Sequence, residues 1–158
     1  MKRTSRIIVL STAALLLLAG PACENLVRDF DAVLNGSGIV PPVSTTATGT
    51  AVVTIDASNT ELGYKVTVTS LSDITEANIH LAPSGETGDV VLVLYPGPQM
   101  PGPFTGTLAE GTLRIADFKG PLAGESMGRM LDVLRAGSTY VQVKTDSFPD
   151  GEIRGQLR

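Results

Sequence analysis

Two side chains in this 158-residue sequence offer chemistry that nothing else in it repeats: Cys23, its only cysteine, and His80, its only histidine. A thiol standing alone closes no intramolecular disulfide and builds no cysteine–metal cluster. A copper or zinc site takes three or four nitrogen, sulfur or carboxylate ligands. Beyond Cys23 the chain supplies one imidazole and no thiol, so no metal site is assigned. His80 with carboxylate help is only a weak candidate. A hydrolytic triad would have to use His80 as its base. No serine is read here as a strained Gly-x-Ser-x-Gly elbow, which leaves the nucleophile unspecified. Carboxylate pairs such as Asp117 with Glu125, or Asp150 with Glu152, lie in turn and strand contexts without a second motif. There they ordinarily serve solubility and local pairing. No glycine-rich stretch follows a strand and opens a helix with Gly-Lys-Ser/Thr, as a phosphate loop would. No catalytic or cofactor-binding residue is therefore assigned, and no cofactor is expected.

What remains is recognition. Tyr140, Gln142 and Lys144 alternate along one segment, and Glu152, Arg154 and Gln156 along another. With Asn78 and His80 they form the candidate interaction face, since tyrosine and arginine are favoured at binding hot spots. The plainer reading, which carries more weight, is a solvated sheet face laced by cross-strand pairs. The formal charge of −4 argues against a nucleic-acid partner, which needs a concentrated basic surface.

These residues need strands to position them. Ala51, Val53 and Ile55 alternate with Thr50, Val52 and Thr54. After turn chemistry at Asp56 to Asn59, Leu62, Tyr64, Val66 and Val68 do the same, as in a hairpin with one buried face. Ala77, Ile79 and Leu81 alternate with Asn78 and His80, and a loop from Pro83 to Gly88 follows. Val90 to Leu94 is apolar throughout, as in a strand covered on both sides. The stretch from Pro96 to Pro103 reads as an irregular surface loop with few ways to pair its backbone. Phe104 to Leu108 and Leu113 to Phe118 are short strand candidates. Met127, Met130, Leu131 and Leu134 fall at i, i+3, i+4 and i+7, with Gly137 placed to end a helix. The final hairpin runs Tyr140 to Thr145, turns at Phe148-Pro149-Asp150-Gly151 and returns through Glu152 to Leu157. Val141, Val143, Ile153 and Leu157 share its apolar face. With Thr145 opposite Gly151, Lys144 lies across from Glu152 and Gln142 across from Arg154. Near the start, Leu26, Phe30, Val33 and Leu34 fit a helical face, whereas Phe30, Ala32 and Leu34 fit a strand. Many short strands and one late helix describe an antiparallel sandwich or barrel.

The N-terminus reads as a targeting segment. Lys2, Arg3 and Arg6 precede the apolar run Ile7 to Leu18, and Ala19-Gly20-Pro21-Ala22 supplies small residues for cleavage. Twelve residues rise about 18 Å as a helix, short of the ~30 Å hydrocarbon core. No later stretch is apolar and long enough to span. Cys23, just beyond the cleavage cluster, stands where a bacterial lipoprotein carries its diacylglycerol. Gly20 replaces the usual leucine, and the alternative is ordinary cleavage after Ala22 with secretion in soluble form.

The segment Tyr140 to Thr145 with Pro149-Asp150-Gly151-Glu152-Ile153-Arg154-Gly155-Gln156-Leu157 resembles the C-terminal signature of the CHRD (chordin-type) domain. Leu34-Asn35-Gly36 to Val40-Pro41-Pro42-Val43, Ala77-Asn78-Ile79-His80 followed by Gly85 and Gly88, and Ala136-Gly137 fit the same family in order. The resemblance spans roughly Asp29 to Arg158. It implies an Ig-like or superoxide-dismutase-like β-sandwich, an exported setting, no established enzymatic activity, and a strand at Phe30 to Asn35. The family often carries a second histidine where this chain has Lys144 and an asparagine where it has Gln142. A lysine there repels a cation, which puts any shared metal site in doubt.

The expected organisation is a signal peptide over residues 1–22, a lipid-anchored tether over 23–28 and a CHRD-like β-sandwich over 29–158. The expected function is a non-enzymatic binding or structural module of the cell envelope. It would face the periplasm or the exterior, touch the membrane only through the lipid, and engage an unknown protein or envelope polymer. A metal-binding module centred on His80 and a hydrolase of unknown type are the alternatives.

Overall fold

The computed structural model describes residues 28–158. The expected leader, Cys23 and all of the tether but Arg28 lie outside the described residues. Among those described, no helix is long and apolar enough to cross a membrane.

Alternation builds the sheet. In β1 (Asp29–Asn35), Phe30, Ala32 and Leu34 are buried, and in β2 (Thr48–Ile55) Gly49, Ala51, Val53 and Ile55 are buried. Their intervening residues are mostly exposed, as a strand period of two requires. The two strands pair antiparallel from Asp29↔Thr54 to Asn35↔Thr48. The Phe30 to Asn35 segment is thus a strand. Between β2 and the next strand, the Asp56 carboxylate accepts the amides of Ser58, Thr60 and Glu61. These bonds, with the Ser58 hydroxyl foremost, hold the Asp56 carboxyl well below the usual range. The turn chemistry of Asp56 to Asn59 therefore closes the hairpin that the alternation predicts.

Two strands expected to be separate are one. β3 runs from Leu62 to Leu81, 20 residues. It bends where Ser70 and Asp73 adopt left-handed backbone (φ 58° and 52°) and where its pairing shifts register. Its first half pairs β2, and its second half pairs β6 (Thr139–Thr145). A bend that keeps the chain extended does not interrupt a strand.

The other edge of β3 is covered by β4 (Val90–Tyr95) and then β5 (Met100–Leu113). Here the structure departs from expectation twice. The Pro-Gly-Pro stretch enters the sheet from Met100, with Met100 opposite Ile74 and Pro103 opposite Ser72. Prolines are tolerated because β5 pairs on one side only and their missing N–H groups lie on an edge strand. Conversely, residues beyond Leu113 turn into a 3₁₀ segment, Ile115–Asp117, instead of a strand. β4 carries the apolar run as expected, with Val91, Leu92 and Leu94 buried.

The helix α1 spans Met127–Arg135. Ser126 caps it by accepting the Arg129 amide, and Gly137 follows at φ 62°. Met127, Met130, Leu131 and Leu134 join the core. β6 then pairs β7 (Ile153–Gln156) in the predicted register, with Gln142↔Arg154 and Val143↔Ile153.

The all-β character with one short helix is as expected, but the architecture is not two separate sheets. A single seven-stranded sheet follows the order β2-β1-β7-β6-β3, and β3 pairs back onto β2. Five strands thus close a barrel, with β4 and β5 as extra strands on β3. The seam between β1 and β7 is narrow. Asn35 opposes Arg154, and Asp31 and Arg158 exchange two backbone hydrogen bonds. A Cβ on Gly155 would sit 2.3 Å from the Val33 carbonyl oxygen, so this contact requires glycine. The long bent β3 causes the difference, because it serves both halves and leaves no gap between two layers.

Candidate functional site

The β3, β6 and β7 strands present two faces. Inward, Ala77, Ile79, Val141, Val143 and Ile153 are fully buried in the core. Outward, the register lines up Glu76 with Lys144, Asn78 with Gln142, and His80 with Tyr140 across β3 and β6. Gln142 meets Arg154 and Tyr140 meets Gln156 across β6 and β7. All eight residues of the candidate interaction face therefore belong to one continuous patch, with Glu76 added to it.

That patch is not a solvated sheet face. Asn78, His80, Tyr140, Gln142, Glu152 and Arg154 are buried, while Lys144 and Gln156 are partly so. Two loops cover it. The segment before β2 brings Thr45 onto the Glu152 carboxylate, which also accepts from Thr145, both at 2.7 Å. The loop of residues 82–89, called the flap below, lies over the other end. Gln156 donates to the Ala82 carbonyl at 2.9 Å, Arg154 Nη2 to the Pro83 carbonyl at 3.4 Å, and the Gly88 amide to the Tyr140 hydroxyl at 3.2 Å. His80 Nδ1 bonds the Gly88 carbonyl at 2.8 Å. A carbonyl only accepts, so Nδ1 carries the proton and Nε2 holds the lone pair.

The expected cross-strand partners do not form. Lys144 stands opposite Glu152 by register, yet its ammonium pairs with Glu76 at 2.5 Å. That bond holds the Glu76 carboxyl below its ordinary range. Glu152 is committed to two hydroxyls. Gln142 lies opposite Arg154 but donates to the Asp150 carbonyl at 2.8 Å. Arg154 instead swings over Tyr140, its guanidinium carbon 3.4 Å from the ring centroid. His80 stacks on the same ring with centroids 4.8 Å apart and planes within 5°. Such contacts are favourable to cations and to stacked rings.

The stack is electrostatically unusual. Arg154 is 3% exposed and His80 6%. Arg154 takes part in none of the ion pairs Lys65–Glu110, Arg114–Glu61 and Lys144–Glu76, and has no carboxylate partner among the described residues. Burial pulls its guanidinium below the usual range. Burial also lowers the His80 pKa; the Gly88 bond opposes this, and Lys144 and Arg154 add to it. Asn78 Oδ1, His80 Nε2 and Arg154 Nη1 are buried without a hydrogen-bond partner on this face, as is Thr139 Oγ1 outside it. Buried polar atoms left unpaired are uncommon and costly.

For catalysis and metal binding the placements are plain. No three His, Cys, Asp or Glu side chains gather in a metal-binding group among the described residues. Asp117 accepts the Arg114 amide within its own 3₁₀ turn, and Glu125 is exposed. Asp150 lies on the exposed hairpin turn, away from the hydroxyls that hold Glu152. One expectation needs correction: Gly124-Glu125-Ser126-Met127-Gly128 does have the Gly-x-Ser-x-Gly spacing. It is not an elbow, because Ser126 follows a 3₁₀ turn instead of a strand and spends its hydroxyl capping α1.

Sequence reasoning missed a cleft of about 290 Å³ between Ile39, Val40, Pro41 and Val43 and the hairpin turn Ser147 to Gly151. Gln142 braces its wall through Asp150. The two prolines were the available signal, since they forbid pairing and leave the segment free to form a rim.

Comparison with known proteins agrees with the C-terminal motif. A family model described as the CHRD domain matches residues 30–157. Chordin of Xenopus laevis is 32% identical over 132 residues, which cover 78% of this chain and 12% of that protein. Chordin of Danio rerio is 32% identical over 126 residues, with the same shares. The chain thus spans about an eighth of the length of these relatives. No solved structure matches.

Proposed function

Because the chain belongs to the CHRD domain family, we propose that it is a non-enzymatic, exported binding module of the cell envelope, held there by lipid on Cys23. Its partner, a protein or an envelope polymer, meets the outer face of β3, β6 and β7 beneath the flap. The observation that carries this reading is the cluster of unpartnered buried polar atoms on that face, on Asn78, His80 and Arg154. Buried polar atoms are ordinarily paired, and polar groups of a docked partner would pair these three.

A binding role also suits the sole imidazole. Its ring is stacked on Tyr140, its Nδ1 is spent on a backbone carbonyl, and its neighbours Lys144 and Arg154 are cations. A general base needs a reachable lone pair, and a metal ligand needs further donor side chains beside it, not cations. The apolar run of Ile7 to Leu18 before Cys23 supports export and lipidation.

The test is site-specific photo-cross-linking in intact cells, with the probe at Ser84 on the flap or at Thr50 on the outer side of β2. The Ser84 probe yields a discrete adduct that the Thr50 probe does not. Equal capture at both positions, or none, overturns the docking face. Incorporation of a labelled fatty acid, abolished by Cys23→Ala, tests the tether; an unlabelled wild type contradicts it.

A further inference from the structure

The guanidinium of Arg154 is the least explained group in the molecule. It is nearly fully buried, carries a positive charge, and has no carboxylate within ion-pair reach among the described residues. The nearest acid along its own strand face, Glu152, has both carboxylate oxygens bound by hydroxyls. Lys144 takes up Glu76. A buried charge without a counter-charge is strongly unfavourable unless something compensates it. Stacking on Tyr140 compensates in part.

We propose that Arg154 is the receptor for an oxyanion, a carboxylate or a phosphoryl group, presented by the partner and received under the flap. Arg154 Nη1 has no hydrogen-bond partner, and Nη2 has only the Pro83 carbonyl at 3.4 Å, near the limit of a hydrogen bond. These two nitrogens are the fork that grips two oxygens of a carboxylate or phosphate at once. A neutral carbonyl at that distance is readily displaced by a charged acceptor. The flap has the features needed to give way. Residues Pro83 to Thr87 are exposed, and Gly85 sits at φ 86° with open space where a Cβ would stand. A handful of hydrogen bonds at residues 81, 82, 83, 88 and 89 hold the loop down. Its far end packs closely, since a Cβ on Gly88 would meet the Leu81 carbonyl oxygen at 1.9 Å. Displacement therefore begins at the Pro83 side, over the guanidinium, and the Gly88 bonds to His80 and Tyr140 are the last to open. Tyr140 backs the fork, as an aromatic plane commonly does for a bound guanidinium.

This inference rests on the docking face proposed above and names the chemistry it recognises. The experiment follows the side-chain ¹⁵N resonances of Arg154 in the full-length protein while sodium acetate or sodium phosphate replaces sodium chloride at constant ionic strength. A saturable shift with either anion is expected, and whichever anion acts identifies the group. Arg154→Lys keeps the charge without the fork and binds about tenfold or more weakly. Arg154→Met, which keeps the stem, shows no saturable response in the neighbouring Tyr140 and Gly88 signals. The proposal is overturned if neither anion moves the wild-type resonances, a result that needs no variant to fold. An equal response of Tyr140 and Gly88 in Arg154→Met also overturns it. A null result here beside a positive Ser84 adduct leaves the docking face standing and removes only its anion specificity.

Discussion

The two faces of the β3–β6–β7 sheet are buried to nearly the same degree by opposite means. Ile79, Val141, Val143 and Ile153 on the inner face meet other apolar side chains and need nothing more than close fit. Asn78, His80, Tyr140, Gln142 and Arg154 on the outer face are covered by two loops, and each polar atom must find a named partner. The inner face holds the barrel together through dispersion and the removal of apolar surface from water. The outer face is held by single hydrogen bonds to a loop, and three of its atoms go without. Burial on one side is therefore stability, and on the other it is a cover that can be lifted.

This contrast can be tested by damaging each face in turn. Ile79→Ala removes fully buried core and should lower unfolding stability by about 2–5 kcal/mol in urea denaturation. A loss under 1 kcal/mol would show that the inner face does not carry the fold. Tyr140→Phe on the outer face removes only the acceptor of the Gly88 amide. It should cost about 1 kcal/mol and speed exchange at Gly88 selectively. Exchange that rises uniformly through the barrel would erase the distinction between cover and core. Smaller again is the effect of acid. Burial keeps the folded-state pKa of His80 below its ordinary value, so the unfolded chain binds the proton more readily. The His80 contribution to stability should accordingly fall as pH drops below about 6.5 and level off beneath its folded-state pKa, below which the lowered carboxyls of Asp56 and Glu76 take over the acid dependence. His80 is the only histidine, so His80→Phe, which keeps a stacked ring, should flatten that slope. An unchanged slope in the variant would contradict the assignment. The least effect belongs to Lys144→Met, which breaks a partly exposed pair with Glu76 and should change stability by about 1 kcal/mol or less.

Much of the barrel was legible because strand alternation and turn residues are local signals. The β2–β3 hairpin, the β6–β7 register and α1 all follow from spacing, with Asp56 and Gly137 marking turns. The union of two predicted strands into β3 was hidden because Ser70 and Asp73 bend the chain without ending its pairing. The prolines of β5 read as a loop, since only tertiary context shows that their missing donors lie on an open edge. At the site, the pattern placed Tyr140, Gln142, Arg154 and His80 on one polar face but could not show its cover. Residues 82–89 fold back over that face through contacts to Ala82, Pro83 and Gly88, and no periodicity encodes such a return. The Arg154–Tyr140–His80 stack was missed for a related reason: Arg154 meets Tyr140 diagonally across neighbouring strands, whereas register arguments pair only residues directly opposite, and no local signal pairs β3 with β6 to set His80 against Tyr140.

The central claim is that the flap opens apart from the barrel and exposes the polar face. Native-state hydrogen exchange across a urea series measures this directly, comparing the Gly88 amide with the amides of Ile79 and Val141. The account predicts that Gly88 exchanges through a local opening of lower free energy and little urea dependence, while Ile79 and Val141 exchange only with global unfolding. If all three share one free energy and one urea dependence, the flap is part of the core and the docking face beneath it does not exist as described.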